Sequence, residues 1–194
     1  MPLPANGGPA PRGDRAAVER AIADLVRALG LDPATEPELA ETPARVADLY
    51  AEIFSGLEPG ARPEIATFPH AGEELVLVRD LPFYSLCVHH FVPFFGRATV
   101  AYLPAGRIIG ISGAARLLDH YARRPQLQER LTGQIADHLE RLVEPRGLAV
   151  ILEARHLCME MRGVRKRGAV ETRTIRGALA SPPWSEAIAR HPRS

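Results

Sequence analysis

The chain has 194 residues, 46% of them hydrophobic and 24% charged, which is typical of a globular protein with an apolar core. Its formal net charge of +1 argues against nucleic acid or a membrane surface as the main partner. No apolar run reaches the roughly 20 residues that a transmembrane helix needs, and the N-terminus lacks the features of a secretory signal. We therefore expect a cytoplasmic protein whose two cysteines stay reduced.

The first part of the chain predicts a disordered segment followed by two helices. Residues 1–13 are rich in Pro, Gly and Ala and show no periodicity, which favours disorder. Asp14 is predicted to cap the first helix. Thr42 is predicted to cap the second, with Pro43 at the first helical position, where a missing N–H costs nothing. Residues 14–60 therefore form a predicted N-terminal helical unit.

Residues 61–180 predict an α+β domain, because apolar alternation typical of strands and the 3.6-residue period typical of helices follow one another along the chain. One helix opens at Ser112, and a longer one carries apolar residues over 127–142. We expect an antiparallel four-stranded sheet with these two helices on one face, followed by a tail at 181–194 with little pattern. The predicted strand segments are 75–78, 94–103, 108–111, 148–161 and 169–175, and residues 57–72 are predicted to be irregular.

The run Cys87-Val88-His89-His90 and the distant pair His156 and Cys158 suggest a metal centre assembled by folding. Cys87 and His90 are three residues apart and can reach one ion if the backbone bends sharply. With Cys158 they would supply two sulfurs and one nitrogen, a donor set that suits zinc. Three protein ligands leave a fourth position for water, as in catalytic rather than structural zinc sites.

The residues alone leave two other interpretations of the cysteines open. Free cysteine is often a small buried apolar side chain. Cys87 and Cys158 could also form a disulfide, although a reducing compartment disfavours it. Spacing by itself does not decide between these interpretations and a metal site.

Seven motifs, in order and with few gaps between about residues 15 and 179, resemble the GTP cyclohydrolase I family. Together they are far more specific than any one of them alone. They are CVHHFVP at 87–93, GIS at 110–112, RRPQLQERLT at 123–132, HLCM at 156–159 and MRGV at 161–164, with TPARV at 42–46 and IFSGL at 53–57.

This resemblance implies the tunnelling fold and a homo-oligomer, in which subunits join their sheets into pentameric rings and two rings form a decamer with active sites between subunits. It implies zinc bound by Cys87, His90 and Cys158, and water that attacks C8 of a guanine ring. His156 would be the proton donor and acceptor, with His89 alongside, since the unperturbed pKa of histidine lies near working pH. The implied reaction converts GTP and water to 7,8-dihydroneopterin triphosphate and formate, for folate or pterin synthesis.

The resemblance also implies the residues that bind the substrate. Glu129 matches the carboxylate that anchors guanine, Gln128 lies beside it, and Ser112 matches a serine near the ribose and phosphates. Guanidinium groups pair well with phosphate oxygens, although some of these arginines could instead form surface ion pairs. The arginines that match the phosphate end are Arg162, Arg116 and Arg45.

Two positions depart from the family pattern. Val88 stands where the family usually has Glu, and Gly113 where it usually has Lys. Arg173 or Arg176 could supply the missing positive charge. The alternatives are a divergent paralogue that opens the ring of another purine compound, or a non-catalytic nucleotide-binding relative.

Overall fold

The computed structural model describes residues 13–189, so most of the segment predicted to be disordered and the last residues of the predicted tail lie outside it. The chain divides after Arg62 into two compact units. Among the described residues, every helix is too short or too polar to span a lipid bilayer.

The N-terminal unit contains two helices, α1 (Arg15–Ala28) and α2 (Thr42–Ile53). The carboxylate of Asp14 accepts a hydrogen bond from the backbone N–H of Ala17 at 3.0 Å, which confirms the predicted cap of α1. The predicted cap of α2 is wrong, because Glu41 occupies the N-cap position and makes no side-chain cap hydrogen bond. Its carboxylate instead accepts a hydrogen bond from Arg45 at 2.5 Å.

The second unit is built on a five-stranded sheet whose order is β5-β2-β3-β6-β7. The four long strands pair antiparallel, and the two-residue β5 adds a parallel edge. The predicted α+β class is confirmed. The strands of this sheet are β2 (Val76–Cys87), β3 (Pro93–Leu103), β5 (Pro125–Gln126), β6 (Gly147–His156) and β7 (Ala169–Gly177).

Helices α3 (Ile111–Ala122) and α4 (Gln128–Val143) cover one face of this sheet, as predicted. Because side chains alternate along a strand, the even-numbered residues of β3 and β6 meet the two helices. Phe94 and Leu152, for example, are fully buried in the same cluster as Leu117 and Ile135. This packing holds the sheet in place at the end where the candidate site residues lie.

The opposite face of the sheet is partly covered by residues that follow β7. Ile188 and Leu179 are buried there, and Trp184 packs beside them. Trp184 begins the short helix α6 (Trp184–Ala189), so the prediction of a tail with little pattern is wrong for these residues. Trp184 and Ile188 are four residues apart and lie on one side of a helix, a signal too short to recognise in the sequence.

Three predicted strands differ from those in the structure. Strand β2 runs on to Cys87, well beyond the predicted 75–78, because a register shift between Val78 and Leu81 interrupts its alternation. The segment predicted at 108–111 does not continue the main sheet. It forms β4 (Arg107–Ile109), which pairs with β1 (Thr67–Pro69) in a separate two-stranded sheet. Residues 57–72 are therefore not irregular throughout.

The predicted strand 148–161 is also wrong at its end. Strand β6 stops at His156, and Cys158 lies in the one-turn helix α5 (Leu157–Glu160). The pairing of β3 with β6 reaches its last register pair at Phe94 and His156. The preceding residue of β3 is Pro93, which has no N–H to continue the ladder. The chain is free to turn after His156, and the turn moves Cys158 out of the sheet.

Candidate active site

The first part of the site is the turn that follows β2. Cys87 is the last residue of β2 and is buried. The backbone N–H of Phe91 donates to the carbonyl of Cys87 at 2.8 Å, and the N–H of Cys87 donates to the carbonyl of Val92 at 3.0 Å. Phe91 adopts a positive φ of 51°, which closes the turn. This tight backbone places His90 beside Cys87.

The turn of α5 supplies the third member of the cluster. The potential ligand atoms of Cys87, His90 and Cys158 all lie within 4.8 Å of one another. In a tetrahedral site with zinc–sulfur bonds of about 2.3 Å, two sulfurs lie roughly 3.8 Å apart. The three side chains therefore need only small adjustments to share an ion, and they can form a metal site.

Burial and a neighbouring thiol both favour the protonated form of Cys158 in the absence of an ion. Burial raises the pKa of the Cys158 thiol, and the neighbouring Cys87 raises that pKa further. Two adjacent thiolates repel each other, and a divalent cation between them would remove that repulsion and favour the deprotonated forms. Both cysteines are free thiols, so the disulfide considered from the sequence is not formed.

The two neighbouring histidines of the turn are both exposed. Nη1 of Arg162 donates to Nε2 of His90 at 2.9 Å, so the structure brings this predicted phosphate-binding arginine next to the ligand set. Nδ1 of His89 lies 3.8 Å from Sγ of Cys87. The centroids of the His89 and His90 rings are 6.2 Å apart and their planes meet at 79°, an edge-to-face arrangement.

His156 occupies a more enclosed position at the end of β6. Its ring stacks on Phe94, with centroids 4.7 Å apart and planes only 4° from parallel. Its Nε2 lies 2.7 Å from Oε1 of Gln128. Burial lowers the pKa of His156 below its ordinary value, and the nearby carboxylate of Glu129 opposes this by raising it. An imidazole in this setting can take up and release a proton near neutral pH.

Gln128 is the first residue of α4 and is only 2% exposed. Its amide nitrogen lies 3.0 Å from the carbonyl of Leu152, 2.9 Å from that of Val170 and 3.2 Å from Oγ1 of Thr172. The two amide hydrogens are thus occupied within the protein, and Oε1 faces His156. The contribution of Thr172 could not be found from the sequence, since it depends on how β7 and α4 meet.

A family model described as GTP cyclohydrolase I matches residues 18–189 of the chain. The chain belongs to the GTP cyclohydrolase I family. Three relatives, each named GTP cyclohydrolase 1, are similar over nearly their whole length. The protein of Mycolicibacterium vanbaalenii is 50% identical over 92% of this chain and 90% of its own. That of Thermobifida fusca is 52% identical over 90% and 86%, and that of Mycobacteroides abscessus 53% over 90% and 87%.

One solved structure, of the archaeosine synthase QueF-Like in the apo form, aligns with a TM-score of 0.44 and 20% sequence identity. It covers 55% of this chain and 97% of its own. A likeness this distant bears on neither the fold nor the function.

The residues that family membership would assign to the substrate lie mainly at exposed positions. Glu129 is exposed in the first turn of α4, and Ser112 and Arg116 are exposed on α3. Arg45 belongs to α2 of the N-terminal unit, where Glu41 is its ion-pair partner at 2.5 Å. Their roles in binding substrate stay predictions.

The two arginines considered as replacements for the family lysine are both paired with carboxylates. Arg173 contacts Glu171 at 2.5 Å. Arg176 contacts Asp137 at 2.6 Å and Glu140 at 2.5 Å. Each positive charge is therefore largely balanced where it lies, which argues against these side chains as free phosphate ligands.

The two positions that depart from the family pattern have different surroundings. Gly113 is buried in α3, and a Cβ added there would lie 2.8 Å from Cγ2 of Ile65 and 3.4 Å from Ile109. A longer residue would require Ile65 to move, so Gly113 belongs to the packing beneath the helix. Val88 is half-buried, and its N–H donates to the carbonyl of Gln126 at 2.9 Å.

Proposed function

We propose that this protein is a GTP cyclohydrolase I that converts GTP and water to 7,8-dihydroneopterin triphosphate and formate. The observation that carries the proposal is the Cys87, His90 and Cys158 cluster, within 4.8 Å, with the hydrogen-bonded imidazole of His156 two residues before Cys158. Relatives about half identical over nearly their whole length bear the name of this activity.

Cys87, His90 and Cys158 would hold zinc, the metal that suits two thiolates and an imidazole. When bound there, zinc would supply Lewis-acid activation of water near neutral pH. A neutral imidazole has a single lone pair, so His90 can accept a hydrogen bond from Arg162 or bind an ion, but not both. We expect the Arg162 guanidinium to leave His90 when an ion binds, which would make it available to a phosphate group.

His156 would carry protons during ring opening. Release of C8 as formate requires both of its bonds to ring nitrogens to break, and each departing nitrogen must gain a proton. A half-buried imidazole with a lowered pKa is neutral at working pH and can accept a proton from water before giving it to nitrogen. His89, on the turn beside Cys87, is proposed as a second histidine near the substrate.

The substrate contacts follow from chemical complementarity. The exposed Glu129 carboxylate can accept hydrogen bonds from the ring N–H and the exocyclic amine of guanine together. Ser112 is proposed near the ribose and phosphates, and Arg162, Arg116 and Arg45 near the triphosphate.

We also propose that the protein is a homodecamer of two pentamers with active sites between subunits. Strand β7 pairs only with β6 in the described sheet. An open strand edge is commonly closed by a neighbouring chain. Light scattering after size-exclusion chromatography should give about ten times the subunit mass of 21.2 kDa. A monomer at assay concentration would contradict this assembly.

The function is tested by incubating zinc-loaded protein with GTP and measuring formate together with the fluorescent pterin formed on oxidation. We expect equal amounts of both products. Cys158→Ala should lose both zinc, by elemental analysis, and product. Zinc at full stoichiometry in Cys158→Ala would contradict the ligand set. Turnover of guanosine or guanosine monophosphate without turnover of GTP would overturn the proposed substrate.

A further inference from the structure

The orientation of the Gln128 amide is set by its surroundings. Its nitrogen faces the backbone carbonyls of Leu152 and Val170 at 3.0 and 2.9 Å. Carbonyls only accept hydrogen bonds, so the reversed amide would bring oxygen against oxygen in a buried place. The network thus assigns the NH₂ group to the carbonyls and Oε1 to His156.

This orientation decides which nitrogen of His156 carries the hydrogen. An amide oxygen can only accept, and it lies 2.7 Å from Nε2, so Nε2 must donate. In the neutral ring the lone pair then belongs to Nδ1. The parallel stack on Phe94 fixes the plane of the ring, and the bond to Gln128 fixes its remaining rotation.

We propose that Gln128 is a positioning residue that holds His156 as the Nε2–H tautomer, so that Nδ1 is the atom that exchanges protons with the substrate. This assignment rests on the proposed function for its catalytic meaning, and it replaces the prediction that Gln128 binds the substrate. A glutamine whose two amide hydrogens are already used inside the protein has none left for a purine.

Two threonines extend the same chain of hydrogen bonds. Oγ1 of Thr132 donates to the backbone carbonyl of Gln128 at 2.8 Å, and it lies 2.6 Å from Oγ1 of Thr172. Because the Thr132 hydrogen is used, Thr172 must donate to Thr132. Its oxygen is a third, longer acceptor beside the Gln128 amide, at 3.2 Å, and shares a hydrogen with one of the two carbonyls. The donors and acceptors of these groups are compatible with one another, and such ordered networks reinforce their members.

The tautomer is measured directly by long-range ¹H–¹⁵N correlation of ¹⁵N-histidine-labelled full-length protein, well above the ordinary histidine pKa of about 6.5. The His156 signals are assigned by their loss in His156→Gln. We expect His156 of the wild type to carry its hydrogen on Nε2. Gln128→Met, which keeps side-chain length but removes the acceptor, should give a mixture of tautomers. A wild-type ring with its hydrogen on Nδ1 would overturn the proposal, even if Gln128→Met does not fold.

Steady-state kinetics distinguish a positioning role of Gln128 from a substrate-binding role. Gln128→Met should lower kcat for GTP by about 10- to 100-fold, as losses of supporting hydrogen bonds do, while KM changes less than about threefold. A rise in KM with kcat unchanged would restore the substrate-binding role and contradict ours.

Gln126 provides the matched control, since it is another buried glutamine, 1% exposed. Its amide donates to the carbonyl of Tyr121 and to Gln134, both at 2.8 Å, and accepts from Arg130 at 2.8 Å. Gln126→Met should leave the His156 tautomer unchanged and kcat within about threefold. An equal loss of kcat in both variants would reduce Gln128 to a structural role. If the wild type fails to turn over GTP, the proposed function fails, whereas the tautomer result stands by itself.

Discussion

The two halves of the candidate site are held in place by different means. Cys87, His90 and Cys158 are placed by backbone turns, the first after β2 and the second in α5. His90 is exposed, and its ring nitrogen accepts a hydrogen bond from the exposed Arg162. His156 is instead held by side chains, namely the Phe94 ring and the Gln128 amide.

This difference shows what each half needs in order to work. A metal ion supplies its own bond energy and draws ligands into place, so turns that bring the side chains close are sufficient. A proton-transferring imidazole gains no such bond and must be oriented before the reaction, because small misplacements are costly. We therefore expect the ligand half to depend on the ion and the His156 half to be independent of it.

The largest expected effect comes from the adjacent pair His90 and His89. His90→Ala should remove the metal and lower kcat/KM by about 1000-fold or more, since Lewis-acid activation is worth several kcal/mol and about 1.4 kcal/mol is tenfold. His89→Ala should keep the metal and lose about 10- to 100-fold. Elemental analysis and formate release measure both. Metal loss in His89→Ala with retention in His90→Ala would reverse the assignment.

The next largest effect tests the other half. His156→Gln should lower kcat by about 100- to 1000-fold, within the range of general acid–base catalysis. It should retain a full complement of metal, because the ring is placed by Phe94 and Gln128. A variant that loses its metal together with its activity would show that the two halves are not separate.

Metal removal is expected to act on stability as well as on activity. A ligand at about 100 times its Kd stabilises the folded state by about 2.7 kcal/mol, which corresponds to about 5–10 °C in Tm for a domain of this size. Treatment with a chelator should lower Tm by that amount, and added zinc should restore it. His90→Ala serves as the control and should show no response to either reagent.

The smallest expected effect is at the outer end of the network around His156. Thr172→Val removes the hydroxyl between Thr132 and Gln128, and one such hydrogen bond is worth about 0.5–1.5 kcal/mol. We expect kcat to fall by about 2- to 10-fold with metal content unchanged. Thr174→Val, two residues along the same strand, is the matched control. An equal fall in both variants would point to a general loss of strand packing.

The sequence was most informative where rare residue types come in short spacings. With only two cysteines in the chain, the run around Cys87 and the pair at His156 and Cys158 predicted a cluster that the structure brings together. The apolar period of α4 and the cap at Asp14 were also recognised, since both follow from local physics.

The parts that sequence reasoning missed depend on contacts between distant segments. The break after His156 carries no Gly or Pro, and it follows from Pro93 on the neighbouring strand. Gln128 matched a substrate-binding motif, but its direction depends on the carbonyls of β6 and β7 that it meets. Neither the break after His156 nor the direction of the Gln128 side chain can be deduced from one strand or helix alone.

The division between the two halves is tested most directly by zinc X-ray absorption on the loaded wild type and on His156→Gln. We predict two sulfurs at about 2.3 Å and one imidazole nitrogen at about 2.0–2.1 Å, with the same protein ligands in both proteins. A site with fewer than two sulfurs, or one that loses an imidazole in His156→Gln, would contradict the account.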